Sequence, residues 1–119
     1  MRTVADVLVV LVALLHGYFL VLEMFLWTGP TGRRAFAMSK EKAEETKVLA
    51  ANQGLYNGFL AAGLLWSFVA ADPFGVRLFF LGCVLVAGLY GAATASKKIL
   101  FIQAVPAALG IAAVFLAHR

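Results

Sequence analysis

Of the 119 residues, 63% are hydrophobic and 13% charged, where a soluble domain carries about 45–50% apolar and about 25% charged residues. A chain this short cannot hide that much apolar surface in its own core, so a soluble globular fold is excluded and lipid must cover the remainder. The net charge of +4 does not point to nucleic acid, because the basic residues lie between apolar runs, where they act as topology signals.

The first apolar run extends from about Val4 to Trp27, enough for the ~20 residues of a spanning helix. Ala35-Phe36-Ala37 imitates a signal-peptidase site. The run before it is too long for a signal h-region and contains Glu23, so it reads as a retained first helix. Thr28-Gly29-Pro30 ends it. Ser39 is placed to cap a second helix that starts near Lys40 and runs to about Ala70, with Glu41 in the first turn, where the helix dipole favours it. Its first two turns are charged and are expected to project into water, and Phe36 and Met38 could dip into the interface. Asp72-Pro73 separates it from a third span at 76–95, and Ser96-Lys97-Lys98 forms a tight turn into a fourth at 99–117. The long continuous runs lack the alternation of a membrane barrel.

The reading is therefore all-α: one membrane domain over 1–119, an integral membrane four-helix bundle with short loops. The loops after the first and third helices hold Arg33, Arg34, Lys40, Lys42, Lys47, Lys97 and Lys98, against Arg2, Arg77 and Arg119 on the other side. Basic residues accumulate on the cytoplasmic side, so both termini are expected to be non-cytoplasmic. The lone Cys83 cannot form an internal disulfide, which leaves the redox compartment open.

Polar residues inside a bilayer are costly and tend to face a bundle interior or a watery cavity. His16 and Glu23 lie seven apart, within about 20° of one helix face and about 10 Å apart along the axis. On the second helix Asn52, Gln53, Tyr56 and Asn57 share an arc of roughly 140°. Gly54, Gly58 and Ala62 form a ridge of small residues on the other side, and Gly88/Ala92 and Ala87/Gly91/Ala95 form similar ridges on the third helix. Tyr90, Thr94 and Gln103 fall at a depth similar to Glu23, Asn52 and Gln53. The expected picture is a polar cavity open to the cytoplasm with His16 at its floor, its lining faces converging within one subunit or between subunits.

The strings His16-Gly17-Tyr18, Glu23-Met24-x-x-Trp27 and Ala51-Asn52-Gln53-Gly54-x-Tyr56-Asn57-Gly58-Phe59-Leu60-Ala61 resemble a family of small bacterial membrane proteins catalogued as domain of unknown function 1304. The resemblance covers essentially the whole chain. It implies four membrane helices, no established activity, and His16, Glu23, Asn52, Gln53, Tyr56 and Asn57 as signature positions without a role.

Three functions compete. The first is binding or transport of a small molecule, with His16, Glu23, Asn52, Gln53, Tyr56, Asn57, Tyr90 and Gln103 as ligand-binding candidates and Glu23 exchanging a proton against a cationic ligand. Small multidrug transporters offer an architectural analogy only: four short helices with a glutamate in the first. The second is a membrane-embedded enzyme acting on a lipophilic substrate, with His16 as acid–base, Tyr56 as donor and Glu23 as orienting carboxylate. The third is an accessory subunit whose polar residues specify assembly. His118 is too far in depth from His16 for haem ligation, and His/Cys spacing is wrong for zinc, so no metal or cofactor is expected. The lipid bilayer and further copies of the chain, as a homo-oligomer in a bacterial inner membrane, are the expected partners.

Overall fold

The computed structural model describes residues 1–118, so Arg119, counted above among the outward basic residues, lies outside the described residues. Among the described residues the fold is all-helical: α1 (Arg2–Met24), α2 (Pro30–Ala35), α3 (Lys40–Trp66), α4 (Pro73–Thr94), a π-helical turn (Leu100–Ala104) and α5 (Val105–His118). Three stretches are long and apolar enough to cross a membrane: Arg2–Met24, Pro73–Thr94 and Leu100–His118. α3 is longer than any of them at 27 residues, but its charged first turns and its Asn52, Gln53, Tyr56 and Asn57 keep it out of that group.

The helix ends follow local chemistry. α1 stops at Met24, three residues before Trp27, as the chain widens into Leu26 N–H donating to Val21 O at 3.2 Å. At α3, Ser39 Oγ accepts the Lys42 N–H at 3.1 Å, the capping bond that a serine before a helix supplies. Asp72 Oδ1 accepts the Gly75 N–H at 3.0 Å, and Pro73 occupies the first position of α4, where its missing N–H costs nothing.

The wide turn at Leu100–Ala104 also has a local cause. Pro106 has no N–H to give to the carbonyl of Ile102, and its ring crowds that carbonyl. Val105 N–H instead reaches back five residues to Leu100 O, the π-type bond that absorbs one extra residue.

The chain divides into two compact units, Met1–Leu14 with Leu60 onward, and Leu15–Phe59. The first unit holds the apolar core: Val9 and Val12 of α1, Leu64 of α3, Leu81 and Val84 of α4, and Ala107, Ala113 and Val114 of α5. Small residues let its helices close. A Cβ on Gly88 would stand 2.8 Å from Ala104 N, so α4 touches the π-helical turn backbone to backbone. The opposite faces carry large apolar side chains outward. On α1 alone Val4, Val7, Leu11 and Leu14 are exposed, a 3-4 spaced stripe of the kind that lipid covers.

One charged residue staples this unit. Arg77 Nη1 pairs with Asp6 Oδ1 at 2.9 Å, its Nε donates to Ser67 Oγ at 2.9 Å, and the guanidinium lies over the Phe68 ring at 4.6 Å. Ser67 Oγ in turn donates to Leu64 O at 2.5 Å. The Arg77 side chain is only 12% exposed but that of Asp6 is 41% exposed, so the ion pair is partly screened and the rest comes from charged hydrogen bonding. Arg77→Met is expected to lower stability by about 2 kcal/mol, read as an earlier thermal transition in detergent. A shift within the range of ordinary surface substitutions, roughly 0.5 kcal/mol, would show that the staple is dispensable.

Candidate functional site

In the unit Leu15–Phe59, the buried residues of α3 are Ala43, Ala50, Gly54 and Asn57, and the same spacing by threes, fours and sevens continues along the helix in Ala61 and Leu64. On α1, Ala5, Val9, Val12, His16 and Glu23 follow a similar spacing, with Ala13 and Leu22 buried beside them. Such spacing keeps one stripe of each helix turned inward. His16, Glu23 and Asn57 therefore occupy positions where apolar residues are the rule.

Two glycines allow the close approach. A Cβ on Gly54 would meet Met24 Cγ at 2.7 Å, Glu23 Cβ at 3.0 Å and Leu20 O at 3.2 Å, while one on Gly58 would run into the Leu20 side chain. The partners fall along α1 as they rise along α3, so the helices run antiparallel here. The contact brings Asn57 Nδ2 to Glu23 Oε1 as a 2.5 Å hydrogen bond between two buried residues; Glu23 is 8% and Asn57 5% exposed. The accepting oxygen can belong to a carboxylate or to the carbonyl of a protonated acid, so the bond orients the carboxyl in either state.

Glu23 also lines a cavity of about 340 Å³ shared with Trp27, Lys47, Asn52 and apolar neighbours such as Phe25 and Val48. Trp27 is held as its wall: Nε1 donates to Thr46 Oγ1 at 3.0 Å, Thr46 Oγ1 donates to Lys42 O at 2.7 Å, and the indole lies 4.8 Å from the Phe36 ring at 48°. Asn52 Nδ2 donates to Val48 O at 2.9 Å. Lys47 Nζ pairs with Glu44 Oε2 at 3.2 Å on the exposed side, and Glu23 is the buried titratable group of the lining.

The other expected site residues are placed as follows. His16 is fully buried, edge-on to Phe19 at 5.4 Å, and is not among the residues lining the cavity. Gln53 is exposed, as is Tyr56, whose ring lies 6.2 Å from Phe59. Tyr90 and Gln103 belong to the other unit; Tyr90 is exposed and Gln103 half-buried in the π-helical turn. The fold thus joins Glu23 to Asn57 by a hydrogen bond and places Asn52, itself exposed, along the same cavity as Glu23, while Gln53, Tyr56 and Tyr90 lie on the surface away from it. Trp27, Lys47 and Thr46 were not among the site candidates. The signal that finds Trp27 is its place four residues after Glu23, one helical turn on.

The chain matches the model of a family described as protein of unknown function (DUF1304) over residues 10–115. It is similar to the uncharacterized protein YpaA of Lactococcus lactis subsp. lactis (strain IL1403), 40% identical over 107 residues that cover 87% of this chain and 89% of the relative. No solved structure matches it. Every residue lining the Glu23 cavity, and Asn57 bonded to Glu23, falls within the matched segment, and the chain belongs to the DUF1304 family.

Proposed function

We propose that the protein binds a small cationic molecule, for uptake or export across a bacterial inner membrane, in the cavity headed by Glu23, with proton exchange at that carboxyl. The observation that carries this reading is Glu23, buried, hydrogen-bonded to Asn57 and lining a cavity that also offers an indole and an amide. A carboxylate enclosed by apolar helices is expensive unless a proton, a hydrogen bond or a cation compensates it. An aromatic wall adds cation–π attraction for an ammonium group.

In this reading α3 is a fourth span. Its 27 residues make a helix of about 40 Å; with two charged turns in water, about 30 Å remains, the thickness of the hydrocarbon. The termini lie outside and the Arg33–Lys47 loop inside, so the cavity opens to the cytoplasm. The exposed Gln53, Tyr56 and Tyr90 favour further copies of the chain as partners, since polar groups facing lipid gain by finding donors and acceptors on a neighbour. The same surface supports a second reading, an assembly subunit without its own chemistry.

Octylammonium is a suitable probe. It should quench or shift tryptophan fluorescence saturably in detergent-solubilised protein, and Asn57→Leu should weaken its binding about tenfold by leaving the carboxyl unoriented. A linear, unsaturable response in the folded wild-type protein would remove the cavity from consideration.

A further inference from the structure

We propose that Arg33 and Arg34 form a second site, for a phosphate group. They sit on α2, beside a cavity of about 270 Å³ lined by Pro30, Arg33, Arg34, Ala37 and Met38. The lining contains two guanidinium groups and no acidic side chain. Arg33 Nε is buried without a hydrogen-bond partner, the one such side-chain atom among the described residues. A buried N–H of a charged group without an acceptor calls for an explanation, and an oxyanion arriving in the adjacent cavity supplies one.

Three carbonyls near the C-terminal end of α2, which would otherwise repel an anion, are already engaged: Met38 N–H donates to Arg33 O at 2.9 Å, Ala37 N–H to Arg34 O at 3.4 Å and Phe36 N–H to Gly32 O at 3.1 Å. This closure turns Ala37 to φ 52°, the left-handed conformation that ends many helices. α2 is itself fixed in place, because Gly32 lies directly on the backbone of Leu26 and Trp27. Arginine forks match the paired oxygens of phosphate better than a lysine point charge does. The phosphate can be that of an anionic lipid headgroup at the membrane surface or of a soluble phosphorylated compound. This site stands apart from the Glu23 cavity and does not depend on its reading.

Trp27 is the natural reporter, since it lies against Phe36, the residue that caps α2. In a Trp66→Phe background it is the single tryptophan, and its fluorescence can be titrated in detergent with inorganic phosphate, dioctanoyl phosphatidylglycerol, or dioctanoylglycerol, which has the chains without the phosphate. Saturation by phosphate alone supports the site with a soluble ligand, and saturation only by phosphatidylglycerol supports it with a lipid. Arg33→Gln and Arg34→Gln should each weaken binding about tenfold, whereas Lys42→Gln, an equal loss of charge at an exposed residue, should not. If Arg33→Gln does not fold, Arg33→Lys keeps the charge without Nε and should show the same loss. Failure of both phosphate probes to saturate, an equal response to dioctanoylglycerol, or an equal loss in Lys42→Gln would overturn the proposal.

Discussion

Glu23→Gln is expected to fold like the wild type and to lose the pH dependence of cation binding altogether. The amide keeps the size of the side chain, and its Oε1 can still accept the Asn57 Nδ2 bond, so the buried contact survives; what disappears is the proton. On the proposed function, a proton and a cationic ligand compete for one carboxyl in the wild type. Affinity should therefore rise with pH through the titration of Glu23, by up to about tenfold per unit, and level off once the carboxyl is ionised. The variant should give a flat profile, and at alkaline pH it should bind octylammonium at least about tenfold more weakly, the loss of a hydrogen-bonded charge. Titrations at a series of pH values, with the thermal transition of each protein as the folding control, read both effects. A folded variant whose profile keeps the wild-type slope would leave Glu23 a structural residue and transfer the weight to the assembly reading.

A large loss of stability is expected from Gly88→Ala. The added Cβ would stand 2.8 Å from Ala104 N and 3.0 Å from its Cα. Both are backbone atoms of the π-helical turn, so no rotamer change relieves the overlap and the two helices must separate. Overpacking of this kind costs about 1–3 kcal/mol, and the rigid neighbour puts this case at the upper end. Gly82 on the same helix is the control: a Cβ there meets nothing within 4 Å, so Gly82→Ala should be neutral or stabilising by up to about 1 kcal/mol through helix propensity. Thermal unfolding in detergent separates the two, and equal transitions would mean that α4 and the turn are not in close contact.

Much of the helical framework is legible in the sequence because apolar runs and their breakers are local features. Ser39, Asp72 and Pro73 mark helix starts by side chains that satisfy or omit backbone N–H groups, and the structure shows the caps at Ser39 and Asp72 as bonds. The inward face of α3 was harder. Asn57 shares an arc with Asn52, Gln53 and Tyr56, but Asn57 alone of the four is buried, on the stripe of Gly54 and Ala61. Grouping side chains by polarity concealed the spacing of the small residues beside it. The ridges read as surfaces for other helices are partly used within the chain: Gly54 and Gly58 meet α1 and Gly88 meets Ala104, while Ala62 stays exposed. α2, six residues with an internal glycine, is too short to show a period. The π-helical turn lay inside an apolar run whose hydropathy does not register a missing N–H; Pro106 was its only local sign.

The Glu23–Asn57 bond also fixes what kind of motion is open to these helices. A slip of α3 along α1 by seven residues would preserve the stripe but bring Ala50 or Leu64 to the place of Asn57. Neither can donate a hydrogen bond, and a slip by one turn, about 5.4 Å, breaks the bond as well. The polar pair thus acts as a detent against piston-like sliding of α3 along α1. On the proposed function, a ligand of Glu23 meets in the same cavity the Trp27 side chain, whose hydrogen bond to Thr46 is a lighter latch than the buried pair.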